Sequence, residues 1–298
     1  MNGMHKIRTT AVGVAACVLI ACMIVGCGGA VSTTLPPPSK DDLWAWYRMA
    51  ISDAQEADTA EVSTHLASLH PMDPDVDRRL RVRAPGDTVR EVRVVTWRGT
   101  SPLPGADTRL QAGDPVALTE VVWVTLAPRM RQFCQSIDRT GDALDRRLRQ
   151  RLGLPPDFPA TRMVELWVSV SDLARPCANP STTSRTCSPE APHPASLVSI
   201  DRRYRTWFDT VAATSYGPDG YPWTRLGYTY DWHPETSEVG MTEFIIWTPA
   251  SAIVHRSMAT DAYCALEGEA VGKEKRERGT VGKATVDKAT VGHRSATP

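Results

Sequence analysis

The chain has 298 residues, with 34 Lys and Arg against 34 Asp and Glu, and no formal net charge. That balance argues against nucleic acid as a partner, which would call for a clustered basic surface. With 42% hydrophobic residues, the chain is long enough for one sizeable core or two small ones.

The first 26 residues have the organisation of a secretory signal. His5, Lys6 and Arg8 make a basic start, and Ala11 to Val25 is apolar and uncharged. The run is shorter than the roughly 20 residues of a comfortable spanning helix. Ile24-Val25-Gly26-Cys27 resembles the lipobox of bacterial lipoproteins. The resemblance implies cleavage before Cys27 and acylation of its sulfur by palmitate-type chains. Leu19-Ile20-Ala21-Cys22 fits the same pattern, so Cys22 is the alternative site. Each buried methylene contributes about 0.8 kcal/mol, so two chains anchor stably. Gly28 in place of Asp after the cysteine favours, by the same resemblance, the outer over the inner membrane. The expected location is the cell envelope, with the domain facing the periplasm or exterior.

Residues 27–38 then read as a tether, stiffened by Pro36-Pro37-Pro38. Residues 39–267 read as one α+β domain, a mixed or antiparallel sheet packed by helices. Cys134, Cys177, Cys187 and Cys264 remain after the signal, and an even number in an exported chain indicates disulfides. Four cysteines allow three pairings. The favoured one joins Cys177 to Cys187 around a short Pro/Ser/Thr-rich loop and leaves Cys134 for Cys264. No Cys-x2-Cys spacing supports a zinc site, and no metal or cofactor is expected.

Ser39 with Asp42 predicts a capped helix carrying Leu43, Tyr47, Ala50 and Ala54 on one stripe. Val62, Leu66 and Leu69 predict a second helix over 60–69. Strands are expected at 76–83, at 89–97 and, most clearly, at 116–126. Pro128 opens a helix that carries Cys134. Asp142 starts another with Leu144, Leu148 and Leu152 in line and Gly153 as its stop. Arg146, Arg147, Arg149 and Arg151 occupy its other face, read as solvated and partly paired with Asp142 and Asp145. Val164, Leu166, Val168 and Val170 share one face of a further strand. A helix over 199–214 carries Tyr204, Trp207, Phe208 and Val211.

Residues 216–232 are the densest in aromatics. Tyr228, Tyr230 and Trp232 alternate, which in a strand places them on one face. Residues 243–247 are the expected hairpin partner. A short strand near Ile253 and a helix bearing Cys264 complete the fold. Residues 268–298 contain a five-residue repeat (Thr280-Val-Gly-Lys-Ala, Thr285-Val-Asp-Lys-Ala) with no aromatic, and are expected to be disordered.

The string Tyr216 to Trp232, with Leu166-Trp167-Val168 and the Trp123-to-Cys134 region, resembles a group of uncharacterised bacterial proteins over most of residues 46–246. That resemblance implies no activity. From the residues themselves, Tyr221, Trp223, Arg225, Tyr228, Tyr230, Asp231 and Trp232 form a candidate platform for a glycan or an envelope protein. The expected role is a binding or structural domain. The alternative is an envelope enzyme with a site around Asp231, His233 and Glu243. Read loosely, Arg98-Gly99, Ser169-Val170-Ser171 and Glu243 resemble the Arg, Ser-x-Ser and Glu order of ADP-ribosyltransferases, although Met241 stands where that pattern has Glu or Gln. Hydrolase and phosphate-loop motifs are missing from the sequence.

Overall fold

The computed structural model describes residues 37–70, 80–82, 89–99, 103, 110–189 and 200–266. The signal segment with Cys22 and Cys27, nearly all of the tether, the start of the expected strand at 76–83 and the tail over 268–298 lie outside these residues. The chain divides into a unit ending at Pro38 and a second beginning at Ser39. The second is described below.

Helix α1 (Lys40–Ala54) begins at the expected capping box. Ser39 Oγ accepts from the Asp42 amide at 3.2 Å, and Asp42 accepts from the Ser39 amide at 2.9 Å. Its buried face, Tyr47, Ala50 and Ile51, packs on Trp232. The helix expected over 60–69 does not form. A 3-10 turn over Thr59–Glu61 gives way to extended chain. The Leu66 amide donates to the Arg185 carbonyl at 3.1 Å and the Leu69 amide to Thr182 at 2.8 Å. Leu66 and Leu69 enter two different core clusters. Their spacing imitated a helical stripe, but their backbone hydrogen bonds go across to another segment.

The strands are β1 (Leu80–Val82), β2 (Arg90–Arg98), β3 (Pro115–Leu118), β4 (Val122–Leu126), β5 (Arg162–Ser169), β6 (Leu173–Ala174), β7 (Tyr228–Tyr230), β8 (Val239–Ile246) and β9 (Ala250–Ala259). The sheet runs β3-β9-β5-β2-β4-β8-β6, with β1 beside β2 and β7 beside β8. Every pairing is antiparallel. The single strand expected over 116–126 is therefore two strands, β3 paired with β9 and β4 inserted between β2 and β8.

One sheet face carries Val92, Val94, Val124, Leu126, Leu166, Val168, Phe244 and Val254. Each such side chain contributes about 1.5–3 kcal/mol when fully buried. The opposite face is covered by helices. Val95, Trp97 and Met163 pack there against Met130 and Cys134 of α2 (Ala127–Ser136), Leu144 and Leu148 of α3 (Gly141–Arg151) and Tyr263 of α5 (Thr260–Cys264). Helix α4 (Arg202–Thr214) brings Tyr204, Trp207 and Phe208 onto Trp123 and Ile245. The architecture is a single α+β domain. Disulfides join Cys134 to Cys264, tying α2 to α5, and Cys177 to Cys187, the two pairings favoured from spacing.

Candidate functional site

The helix-covered face holds charged residues that a strand buried on both sides rarely carries. Glu165 pairs in register with Val95, Val95 with Thr125, and Thr125 with Glu243. These four positions form one row across β5, β2, β4 and β8, so both glutamates point to the same side. At ~4.8 Å per strand their backbones stand about 14 Å apart.

The glutamates have opposite surroundings. The Glu165 side chain is fully buried, with Arg256 Nε at 3.1 Å, Arg131 Nε at 3.5 Å, His255 Nε2 at 3.7 Å and Arg93 Nε at 3.8 Å. Asp231, also buried, is treated alike: Arg147 grips it through both oxygens at 2.9 and 2.7 Å, and Arg151 adds a contact at 3.1 Å. Glu243 forms no ion pair among the described residues, and its Oε2 has no hydrogen-bond partner. Burial alone pushes its carboxyl up to about 8, so it holds its proton at neutral pH.

Glu243 faces a cavity of about 500 Å³ between the sheet and the helices. Its floor is Val95, Trp97, Trp123, Thr125 and Met163, and its walls are Met130, Leu152 and Leu154, Phe158, Val211 and Thr214, and the 219–223 loop. Glu243 is only partly buried by surface area, because part of its side chain borders this space. Gly153, at φ +64°, turns the chain at the end of α3 so that Leu152 and Leu154 both reach the wall. A β-carbon there would come within 3.2 Å of the Tyr230 carbonyl, a second reason for glycine. Trp223 is 5% exposed, and its indole Nε1 also has no partner. Its ring is held by Phe208 at 5.0 Å and Trp123 at 5.8 Å. Arg98 and Asp219 are the charged side chains that share the lining with Glu243.

The aromatic platform expected over 221–232 is not an exposed surface. Trp223, Tyr228 and Trp232 are 5%, 1% and 3% exposed, and Asp231 is 2% exposed. Helix α1 covers Trp232, with Tyr47 meeting it edge-on at 5.7 Å. The chain near residue 61 covers Tyr228, whose hydroxyl donates to the Glu61 carbonyl at 2.9 Å. Burial, with Asp53 as hydrogen-bond acceptor at 2.7 Å, pushes the Tyr230 hydroxyl well above its ordinary value. Tyr221, 44% exposed, stands at the cavity wall with Trp223, Tyr228 and Tyr230. Arg225, at φ +58°, points away to donate to the Gln55 carbonyl at 2.7 Å.

The arginines of α3 form the expected solvated, acid-paired face only in part: Arg149 lies 4.0 Å from Asp145, while Arg147 is buried. Arg147 and Arg151 hold Asp231, and Arg149 donates to the Phe158 carbonyl at 3.0 Å while lying over Trp97. Of Asp231, His233 and Glu243, Glu243 alone lines the cavity. Asp231 is occupied by two guanidinium groups. His233 sits on the following turn, where burial and then Arg147 lower its pKa. The fold therefore does not assemble the three into one centre. Nor does it gather Arg98, Ser169 and Glu243. Arg98 pairs with Arg162 at one end of the β2–β5 ladder and Ser169 with Glu91 at the other. Among the described residues no group of three His, Cys, Asp or Glu side chains is arranged to hold a metal ion.

What the site defines is a class: a single-domain α+β protein with a partly open cavity bordered by an acid that is unpaired among the described residues. No family model matches the chain, and no curated protein or solved structure matches it.

Proposed function

We propose that the chain is a lipid-anchored, exported binding domain whose ligand site is the cavity between the sheet and α4, not an external aromatic platform. The observation that carries the reading is Glu243. An unmade hydrogen bond to a buried polar group costs about 1–3 kcal/mol. The same fold supplies guanidinium partners to Glu165 and Asp231 and, among the described residues, supplies none here. A largely apolar concave site with a few unsatisfied polar groups and a perturbed carboxyl is the arrangement of a small-molecule site. The signal and lipobox resemblance support export and anchoring, and two disulfides agree with an oxidising compartment.

The test is a thermal-shift screen of the mature protein against uncharged and charged small molecules, run beside Val211→Trp. Val211 lines the cavity from α4 and is partly exposed, so the larger ring enters the cavity rather than the core. Hits on the wild type that vanish in Val211→Trp are the expected result. Equal responses of the two proteins, or none from either, overturn the cavity as the site.

A further inference from the structure

We propose that the cavity takes an uncharged ligand with a largely apolar body, and that the ligand presents carbonyl- or ether-type acceptor oxygens to Glu243 and Trp223. The proposal rests on the cavity being the ligand site and adds the chemistry of its occupant.

The polar inventory of the cavity leads there. The hydroxyls of Thr125, Thr214, Ser215 and Thr229 already donate to the carbonyls of Thr242, Thr210, Val211 and Arg151. The Tyr228 and Tyr230 hydroxyls are committed to Glu61 and Asp53. Of the buried side-chain polar atoms in the lining, Trp223 Nε1 and Glu243 Oε2 remain without partners among the described residues. An indole nitrogen can only donate. Glu243, held neutral by burial, carries one O–H to give. The indole vacancy calls for an acceptor on the ligand, and the same kind of group satisfies the Glu243 O–H.

The charge balance points the same way. Arg98 and Asp219 are the charged side chains of the lining, one of each sign. With Glu243 protonated, the cavity offers no net charge to hold an ion, and an ion entering it would lose its hydration. Trp123, Met163, Phe158 and Leu154 supply apolar contact for the ligand body.

The experiment uses the mature protein and four ligands of one shape: benzylacetone, phenylpropylammonium, phenylpropanoate and butylbenzene. Affinities are read by calorimetry and tryptophan fluorescence. Benzylacetone is expected to bind tightest near pH 7. Its affinity should fall about tenfold by about pH 9, as the Glu243 proton is lost through a pKa of about 8. Glu243→Gln keeps a donor, so it should bind the ketone with that pH dependence removed. Glu243→Leu should erase the preference for the ketone over butylbenzene. Tighter binding of the ammonium, strengthening as pH rises, would overturn the proposal and leave a cation site in the same cavity. Equal binding of ketone and hydrocarbon by the wild type would also overturn it. If no member of the series binds, and Val211→Trp leaves the wild-type screen unchanged, both the ligand class and the cavity reading fail.

Discussion

Glu165 and Glu243 occupy one cross-strand row, on one face of one sheet, and the protein handles them in opposite ways. Around Glu165 three arginines and a histidine lie within 3.8 Å. Around Glu243 there is apolar wall and open volume. The first environment stabilises a charge; the second keeps a proton on. A buried carboxylate stripped of its cations destabilises a fold by several kcal/mol. The Glu165 corner therefore reads as architecture. Glu243 reads as a group left without a partner among the described residues.

The largest expected effect opens the Glu165 corner. Cys134–Cys264 ties α2, which brings Arg131, to α5, which brings Tyr263. Burial first, and then the Glu165 charge, raise the Tyr263 hydroxyl, placing it in the same electrostatic cluster. The sequence separation is 130 residues, for which the chain-entropy relation gives about 5 kcal/mol. Cys134→Ser with Cys264→Ser should lose close to that amount by urea denaturation. A loss below ~1 kcal/mol would mean that packing alone holds the corner.

Next come the two glutamates exchanged for glutamine, with opposite signs. Glu165→Gln leaves the cluster of Arg93, Arg131 and Arg256 without its counter-charge and should cost about 3–5 kcal/mol near pH 7. Glu243→Gln should stabilise, and only at higher pH. The carboxyl of Glu243 titrates near 8 in the fold against 4.5 in the unfolded chain. Below 4.5 both states are protonated and the substitution is neutral. As pH rises from 4.5 towards 8, the unfolded state releases its proton while the folded state keeps it, so wild-type stability falls. Above 8 the variant should exceed the wild type by roughly 5 kcal/mol. Urea midpoints at several pH values test this. Parallel curves for wild type and variant would show that Glu243 is ordinarily solvated.

The contrast between the two glutamates was hard to see in the sequence for a physical reason. Val164, Leu166 and Val168 were legible as a core-facing set, and so were the helices around Pro128, Gly153 and Tyr204. The alternation rule then sends Glu165 and Trp167 to the other face, which in an antiparallel sheet is commonly solvated. Here α2, α3, α4 and α5 cover that face, and the charges on it become interior groups. Strand pairing set the rest. Arg147 and Arg151 looked like surface because their acid lies 84 and 80 residues away on the chain. Residues 116–126 looked like one strand because the break between Leu118 and Val122 carries no Gly or Pro. Glu243 itself stood out as a candidate enzyme acid grouped with Asp231 and His233, not as a lone acid at the edge of a cavity. The strands were readable and the cavity was not, since it exists only where β2, β4, β5 and β8 meet the helices that cover them.

The smallest expected effect separates the stability of the cavity wall from its shape. Asp201 caps α4, its Oδ1 accepting from the Arg203 amide at 2.8 Å. Loss of such a cap costs about 1 kcal/mol, so Asp201→Ala should lower the urea stability by that much. The cavity-facing residues of α4, Val211 and Thr214, lie more than two turns beyond the cap. The first turn can fray without moving them, because Tyr204, Trp207 and Phe208 hold the helix on Trp123, Trp223 and Trp247. Benzylacetone affinity should therefore match the wild type. A parallel loss of affinity would instead show that the wall is set from its N-terminal end. The cavity would then share with the Glu165 corner a dependence on distant anchoring, and the division between an architectural and a receptive half of this sheet face would be weaker than the two glutamates indicate.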